Sequence, residues 1–156
     1  MEKEPVDLAA LTAEVVHDAD FEAAGSGRTV QLLAAPVPSL RGNYELLRRA
    51  VENVVRNAVR YTAPGTVVEV RLELDGTDEI CLRVRDHGPG APEEALSAIF
   101  KPFFRVAEAR DRQSGGTGIG LAITAGTIKH HGGTVTARNL SEGGLEVLIR
   151  VPLSAS

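Results

Sequence analysis

Asn53-Val54-Val55-Arg56-Asn57-Ala58-Val59-Arg60-Tyr61-Thr62 closes the longest stretch of helical periodicity in the chain. The stretch opens at Asn43, a side chain suited to capping a helix, and sets Leu46, Leu47, Ala50, Val51, Val54, Val55, Ala58 and Val59 on one broad apolar face. A helix over 43–62 with such a face has to lie on a core. Asn53, Asn57 and Tyr61 follow one another at intervals of four, so they share a stripe away from that face. Two asparagines on one stripe lower helix propensity without adding packing. They are either solvated or line a cleft, and in a cleft asparagine oxygen is a neutral, hard ligand suited to Mg²⁺ beside phosphate. Arg60 is placed to meet the same phosphate.

Working outward, Leu8, Leu11, Val15 and Val16 mark a helix over 6–23. Gly25-Ser26-Gly27 breaks it, and a β-rich run covers 29–33. After Ala63-Pro64-Gly65 come two alternating runs, 66–74 and 79–85, joined by Asp75-Gly76-Thr77-Asp78 as a hairpin. A short helix is expected near 92–98, then a long mobile segment rich in charge and glycine. A helix over 118–131 stops at Gly132-Gly133, and strands over 134–138 and 145–151 flank the turn Ser141-Glu142-Gly143-Gly144. This order predicts an α+β two-layer sandwich: one mixed sheet of about five strands covered on one face by three main helices. Residues 1–5 read as a linker, 6–153 as one domain and 154–156 as a tail.

The 156 residues, 43% hydrophobic and 24% charged, are enough for one domain with a real core. With no tryptophan and 4% aromatics that core is aliphatic, and Phe100, Phe103 and Phe104 stand out as a cluster. A net charge of −4 argues against a general nucleic-acid binder, so an anionic ligand has to be met locally. No apolar run approaches membrane-spanning length, and Met1-Glu2-Lys3-Glu4-Pro5 is charged where a signal peptide turns apolar. The single cysteine, Cys81, reads as a buried small hydrophobe. These features lead to the expectation of a cytoplasmic domain without membrane contact of its own.

Two glycine clusters complete the set of candidates. Asp86-His87-Gly88-Pro89-Gly90 ends an apolar strand, where the aspartate can accept from an exocyclic amine such as adenine N6 or simply form an Asx turn. Gly115-Gly116-Thr117-Gly118-Ile119-Gly120-Leu121 opens a helix, where it is either a flexible linker or a phosphate cradle of free N–H groups. Between them, the phenylalanines can pin a loop while Arg105 reaches phosphate oxygens, or serve as a plain apolar anchor under solvated charge.

Taken in order, the motifs Asn53-x-x-x-Asn57-Ala-x-Arg60-Tyr61-Thr62, Asp86-x-Gly88-x-Gly90, Phe100-x-Pro102-Phe103 and Gly116-x-Gly118-x-Gly120-Leu121 resemble the N, G1, F and G2 boxes of sensor histidine kinase ATP-binding domains. The resemblance covers residues 6–153, and the stretch from Phe104 to Gly116 is similar to envelope-stress sensors. It implies the GHKL (Bergerat) fold with ATP and Mg²⁺ as cofactors. Asn57 would be the metal ligand, Asn53 and Arg60 the catalytic residues at the phosphates, and Tyr61 and Asp86 the groups beside adenine. Gly88, Gly90 and Phe103 would shape the site, with Arg105, Gly116, Thr117, Gly118, Ile119, Gly120 and Leu121 forming its lid and phosphate side. His87 departs from the asparagine common in the first glycine box, Ala91 from an aliphatic residue, and Gly144-Leu145 from a threonine.

ATPases of this fold carry a glutamate four residues before the metal asparagine. Here that position is Asn53, and Glu52 lies about 100° around the helix. A transferase that holds ATP until an acceptor arrives is therefore favoured over a hydrolase or serine kinase. A non-catalytic nucleotide sensor or protein-binding module remains the alternative of a different class. None of His17, His87, His130 and His131 fits an acceptor motif; the last two read as helix-end cations. The chain is thus expected to be a monomeric fragment of an inner-membrane kinase. Its partners would be a dimerisation domain carrying the acceptor histidine and a response regulator.

Overall fold

In the computed structural model, which describes residues 3–101 and 120–153, Asp7 accepts the Ala10 amide at 3.0 Å and starts α1 (Leu8–Ala24). Asn43 does the same for the Leu46 amide, also at 3.0 Å, and starts α2 (Tyr44–Tyr61). Both helices bury their apolar stripes, α1 through Leu11 and Val15, α2 through Leu47, Ala50, Val51, Val54 and Val55. Leu46 and Val59 of the predicted apolar face are only half-buried.

The main sheet holds β2 (Thr29–Ala34), β4 (Val67–Asp75), β5 (Glu79–Arg85), β6 (Thr134–Asn139) and β7 (Leu145–Pro152), in the order β2-β4-β5-β7-β6. Only β2 and β4 run parallel, so the sheet is mixed, as the sequence predicts. A parallel pair needs a crossover, and α2 supplies it. Across the centre, Leu72 faces Leu82 and Leu82 faces Ile149, with Val70, Val84 and Val147 one step along. All six are buried in the core that the helices cover. The third helix, α3 (Gly120–His130), packs on α2, where the buried Thr124 hydroxyl donates to the Ala50 carbonyl at 2.9 Å.

Several details differ from expectation. A second, two-stranded ribbon pairs β1 (Glu4–Val6) with β3 (Leu40–Gly42), so Glu4 and Pro5 belong to the folded body rather than to a linker. Three residues with a proline among them are too few to show alternation. The expected helix over 92–98 is two 3₁₀ turns, Glu93–Ala95 and Ala98–Phe100. Pro92 heads the first turn with no side chain capping it.

Cys81 is buried, as expected, but not in the core. It lies on the outer face of the sheet, opposite Ile80 and Leu82, between Glu73 and Arg150 of the flanking strands. There the ion pairs Arg83–Glu73 (3.6 Å) and Arg150–Glu79 (3.2 Å) roof it over, and burial pushes its thiol pKa up.

His131 is not a helix-end cation. It is fully buried, its Nε2 accepts the Asn43 amide at 3.0 Å, and Nδ1 therefore carries the hydrogen donated to the Thr127 carbonyl at 2.7 Å. The ring fastens the end of α3 to the start of α2, while His130 stays exposed.

Leu82 is 1% exposed at the centre of this packing, so Leu82→Ala is expected to cost about 2–5 kcal/mol. Urea unfolding of parent and variant checks it, with a lowered midpoint at unchanged slope as the expected result.

Candidate functional site

Where the alternation of β5 ends, Asp86 points to the helix side and is 3% exposed. Its amide donates to the Leu145 carbonyl at 3.0 Å. Its Oδ1 accepts two backbone N–H groups, from Gly88 at 2.9 Å and from Leu145 at 3.1 Å. Oδ2 accepts no hydrogen bond among the described residues. Burial pushes the carboxyl pKa up, against the two N–H bonds and the neighbouring His87 and Arg85, which pull it down. A buried carboxylate with one oxygen fixed and the other open is a site for a donor, such as the N–H of an aromatic amine.

The turn after Asp86 is held from two sides. On one side is the end of α2: a Cβ on Gly88 would overlap the Tyr61 carbonyl, so only glycine lets the chains approach this closely. Thr62, which caps α2, accepts the His87 amide on its hydroxyl at 2.9 Å, and its carbonyl takes Arg28 Nε at 2.8 Å. On the other side is the β6–β7 hairpin, where Gly144, at φ +95°, backs onto the Asp86 carbonyl with no room for a side chain. The His87 side chain leaves this turn and reaches Glu69 on the outer face of the sheet at 3.5 Å. The histidine side chain at this position is therefore directed to the outer face of the sheet and not to Asp86 Oδ2.

From this turn the polar stripe of α2 runs back to the start of α3. Asn53, Asn57 and Tyr61 are half-buried and Arg60 is exposed. Asn53 Nδ2 donates to the Gly120 carbonyl at 3.1 Å, bringing the first residue of α3 against the stripe. The side chain of Asn57, one turn on, makes no hydrogen bond among the described residues. Glu52, one residue before Asn53 on α2, lies about 100° around the helix and is off the stripe. Leu121 packs against the core. Phe103, Arg105, Gly116, Thr117, Gly118 and Ile119 lie outside the described residues. Among the described residues no three His, Cys, Asp or Glu side chains converge as a metal centre, and no helix is long and apolar enough to cross a membrane.

Sequence reasoning gave no role to Asn139, met Thr62 only as the end of the asparagine motif, and met Gly144-Leu145 only as a departure from the family pattern. Leu145 acts through its backbone N–H and C=O, which residue type does not reveal, and Asn139 carries no motif.

The family described as histidine kinase-, DNA gyrase B- and HSP90-like ATPase matches residues 42–155, from just before α2 to beyond β7. The chain belongs to this family. Within the ATPase family it is similar to sensor histidine kinases. It is 45% identical over 144 residues to the sensor histidine kinase CpxA of Escherichia coli K12, covering 92% of this chain and 31% of that protein. It is 37% identical over 153 residues to the probable sensor histidine kinase TcrY of Mycobacterium tuberculosis, covering 98% and 32%. The chain thus spans 31–32% of the length of these curated relatives. Among solved structures, the mycobacterial sensor histidine kinase MprB superposes with a TM-score of 0.84 at 27% identity, covering 98% of this chain and 99% of that one. Full-length ShkA in complex with AMPPNP gives a TM-score of 0.84 at 26% identity, covering 100% and 32%. The architecture of this ATPase-family domain, three helices on a five-stranded mixed sheet, is the one these kinases share.

Asp86→Asn keeps an oxygen for the Gly88 and Leu145 amides and removes the buried charge. Because burial raises the Asp86 pKa, the native carboxylate weakens the fold above that pKa and not below it. The variant is therefore expected to match or exceed the parent's urea midpoint at pH 7, with the difference shrinking as pH falls through the Asp86 titration. Urea unfolding at neutral and acidic pH checks this; a large loss of stability at pH 7 would make Asp86 a structural residue.

Proposed function

We propose that this chain is the ATP-binding catalytic domain of a sensor histidine kinase, which passes the γ-phosphoryl group of ATP to a histidine on a separate dimerisation domain. The observation that carries the reading is the buried Asp86 with Oδ2 open, at one end of a helix whose polar stripe leads to the start of another. The family match and the kinase relatives support it.

In this reading Asp86 Oδ2 accepts the exocyclic amine of adenine, and Tyr61 lies beside the base. A keto oxygen at that place is itself an acceptor and would meet the carboxylate with no donor between them, so adenine is preferred over guanine. Asn57, uncommitted among the described residues, is suited to a Mg²⁺ that takes most of its ligands from phosphate oxygens and water. When bound, that ion neutralises phosphate charge. Asn53 keeps the start of α3 against the stripe, and its oxygen and the exposed Arg60 face the phosphates. Phe103, Arg105, Gly116, Thr117, Gly118 and Ile119, which lie outside the described residues, would in this reading meet the phosphates together with Gly120 and Leu121.

The same residues favour transfer over hydrolysis. No carboxylate occupies the stripe position of Asn53, and Glu52 lies about 100° around the helix, so the stripe carries no base for water. What remains is positioning and charge stabilisation, which suffices for phosphoryl transfer to an incoming imidazole. A response regulator would then receive the phosphoryl group from that histidine.

ATP binding, read by displacement of a fluorescent nucleotide, should weaken about ten- to a hundredfold in Asp86→Asn, the loss of a hydrogen bond to a charged group. Asn57→Ala should lose at least about tenfold only when Mg²⁺ is present. Incubating a longer chain that includes the acceptor domain with γ-labelled ATP should yield acid-labile phosphohistidine. Tight ATP binding without any label would overturn the kinase reading in favour of a sensor.

A further inference from the structure

Asn139 ends β6, and its carboxamide closes on the chain that leaves the Asp86 turn. Its Oδ1 accepts the Ala91 amide at 2.9 Å, and its Nδ2 donates to the Ala91 carbonyl at 2.6 Å and to Glu93 Oε1 at 3.2 Å. One side chain thus satisfies both backbone polar groups of Ala91, as a neighbouring strand would. Between Asp86 and this clamp the chain swings round at Gly90, φ +75°, whose hydrogen lies against Asn139 Oδ1.

We infer that Asn139 is a positioning residue for nucleotide binding. The inference rests on the nucleotide reading of Asp86. The entrance of the turn has its own anchors: Leu145 on Asp86, and Thr62 on His87. Its exit, 88–91, has the Asn139 clamp. Among the described residues no hydrogen bond joins Asn139 to Asp86; Asn139 acts through Ala91 and Gly90. Removing the carboxamide leaves Asp86 Oδ1 paired as before and frees the segment that walls the base on the far side. Asn139 and Ala91 are half-buried, so water can take over the released groups and the fold itself loses little. The clamp therefore sets how well the pocket wall is pre-formed, a contribution that appears in affinity more than in stability.

The test is Asn139→Ala in the whole chain, with fluorescent-nucleotide displacement by ATP and ADP, with and without Mg²⁺, alongside hydrogen exchange. Affinity is expected to fall about three- to tenfold, by the same factor for both nucleotides and irrespective of Mg²⁺. The Ala91 amide should lose protection while the Leu82 amide in the central strands keeps it. That pattern separates positioning from general destabilisation, which would lower protection at Leu82 too and overturn the inference. Equal affinity in parent and variant, with the Ala91 amide freed, also overturns it while leaving the nucleotide reading intact. A parent that binds neither nucleotide overturns both. Should Asn139→Ala fail to fold, Asn139→Asp, which keeps the size and the acceptor for the Ala91 amide, carries the same measurements.

Discussion

A carboxylate kept almost out of water is the constraint around which this domain is arranged. Asp86 could be satisfied cheaply at the surface, yet it is buried and its pKa pushed up. Holding it there takes a backbone amide from 59 residues downstream, a second from its own turn, and a threonine at the end of a helix that steadies the next residue. Each anchor brings a structural demand with it. Leu145 must begin a strand beside β5, α2 must end within reach of the turn, and Gly88 must have no side chain. The sheet order and the α2 crossover meet these demands together.

Helix α2 belongs to the core and the site at once. One face buries Leu47, Val51, Val54 and Val55; the adjoining stripe presents Asn53, Asn57 and Tyr61. Its polar groups are therefore as well fixed as its apolar ones, with no separate scaffold. Three fastenings keep α3 in step with it: Asn53 donating to the Gly120 carbonyl, Thr124 donating to the Ala50 carbonyl, and His131 accepting the Asn43 amide. The outer face of the sheet is built differently. Among the described residues a network of arginines and carboxylates covers it, closely enough to bury Cys81 beneath charge.

Much of this was legible in residue order. The 3.6-residue period over 43–62 and the alternation in 66–74 and 79–85 follow directly from which side chains need to leave water. The asparagine stripe was visible because it disobeys helix propensity. The ribbon of β1 and β3 was not, since strands of three residues have no period to detect. His131 looked like a helix-end cation because the sequence places it in the last turn; only packing against Gly42 and Asn43 reveals a neutral, buried ring. At the site, Asp86 and Gly88 could be found from their motif. Leu145 could not, because it contributes main-chain atoms that any residue possesses. Asn139 resembled any polar residue at a strand end.

The pairing of Asp86 with Leu145 also governs when during synthesis this domain becomes competent. A ribosome that has released residues up to the second glycine cluster has already delivered the asparagine helix and the Asp86 turn, yet the partner that orients the carboxylate is still to come. Until β7 docks beside β5, Oδ1 lacks one of its two donors and the long-range contacts that seat it. The geometry of the Asp86 carboxylate is thus tied to completion of the sheet.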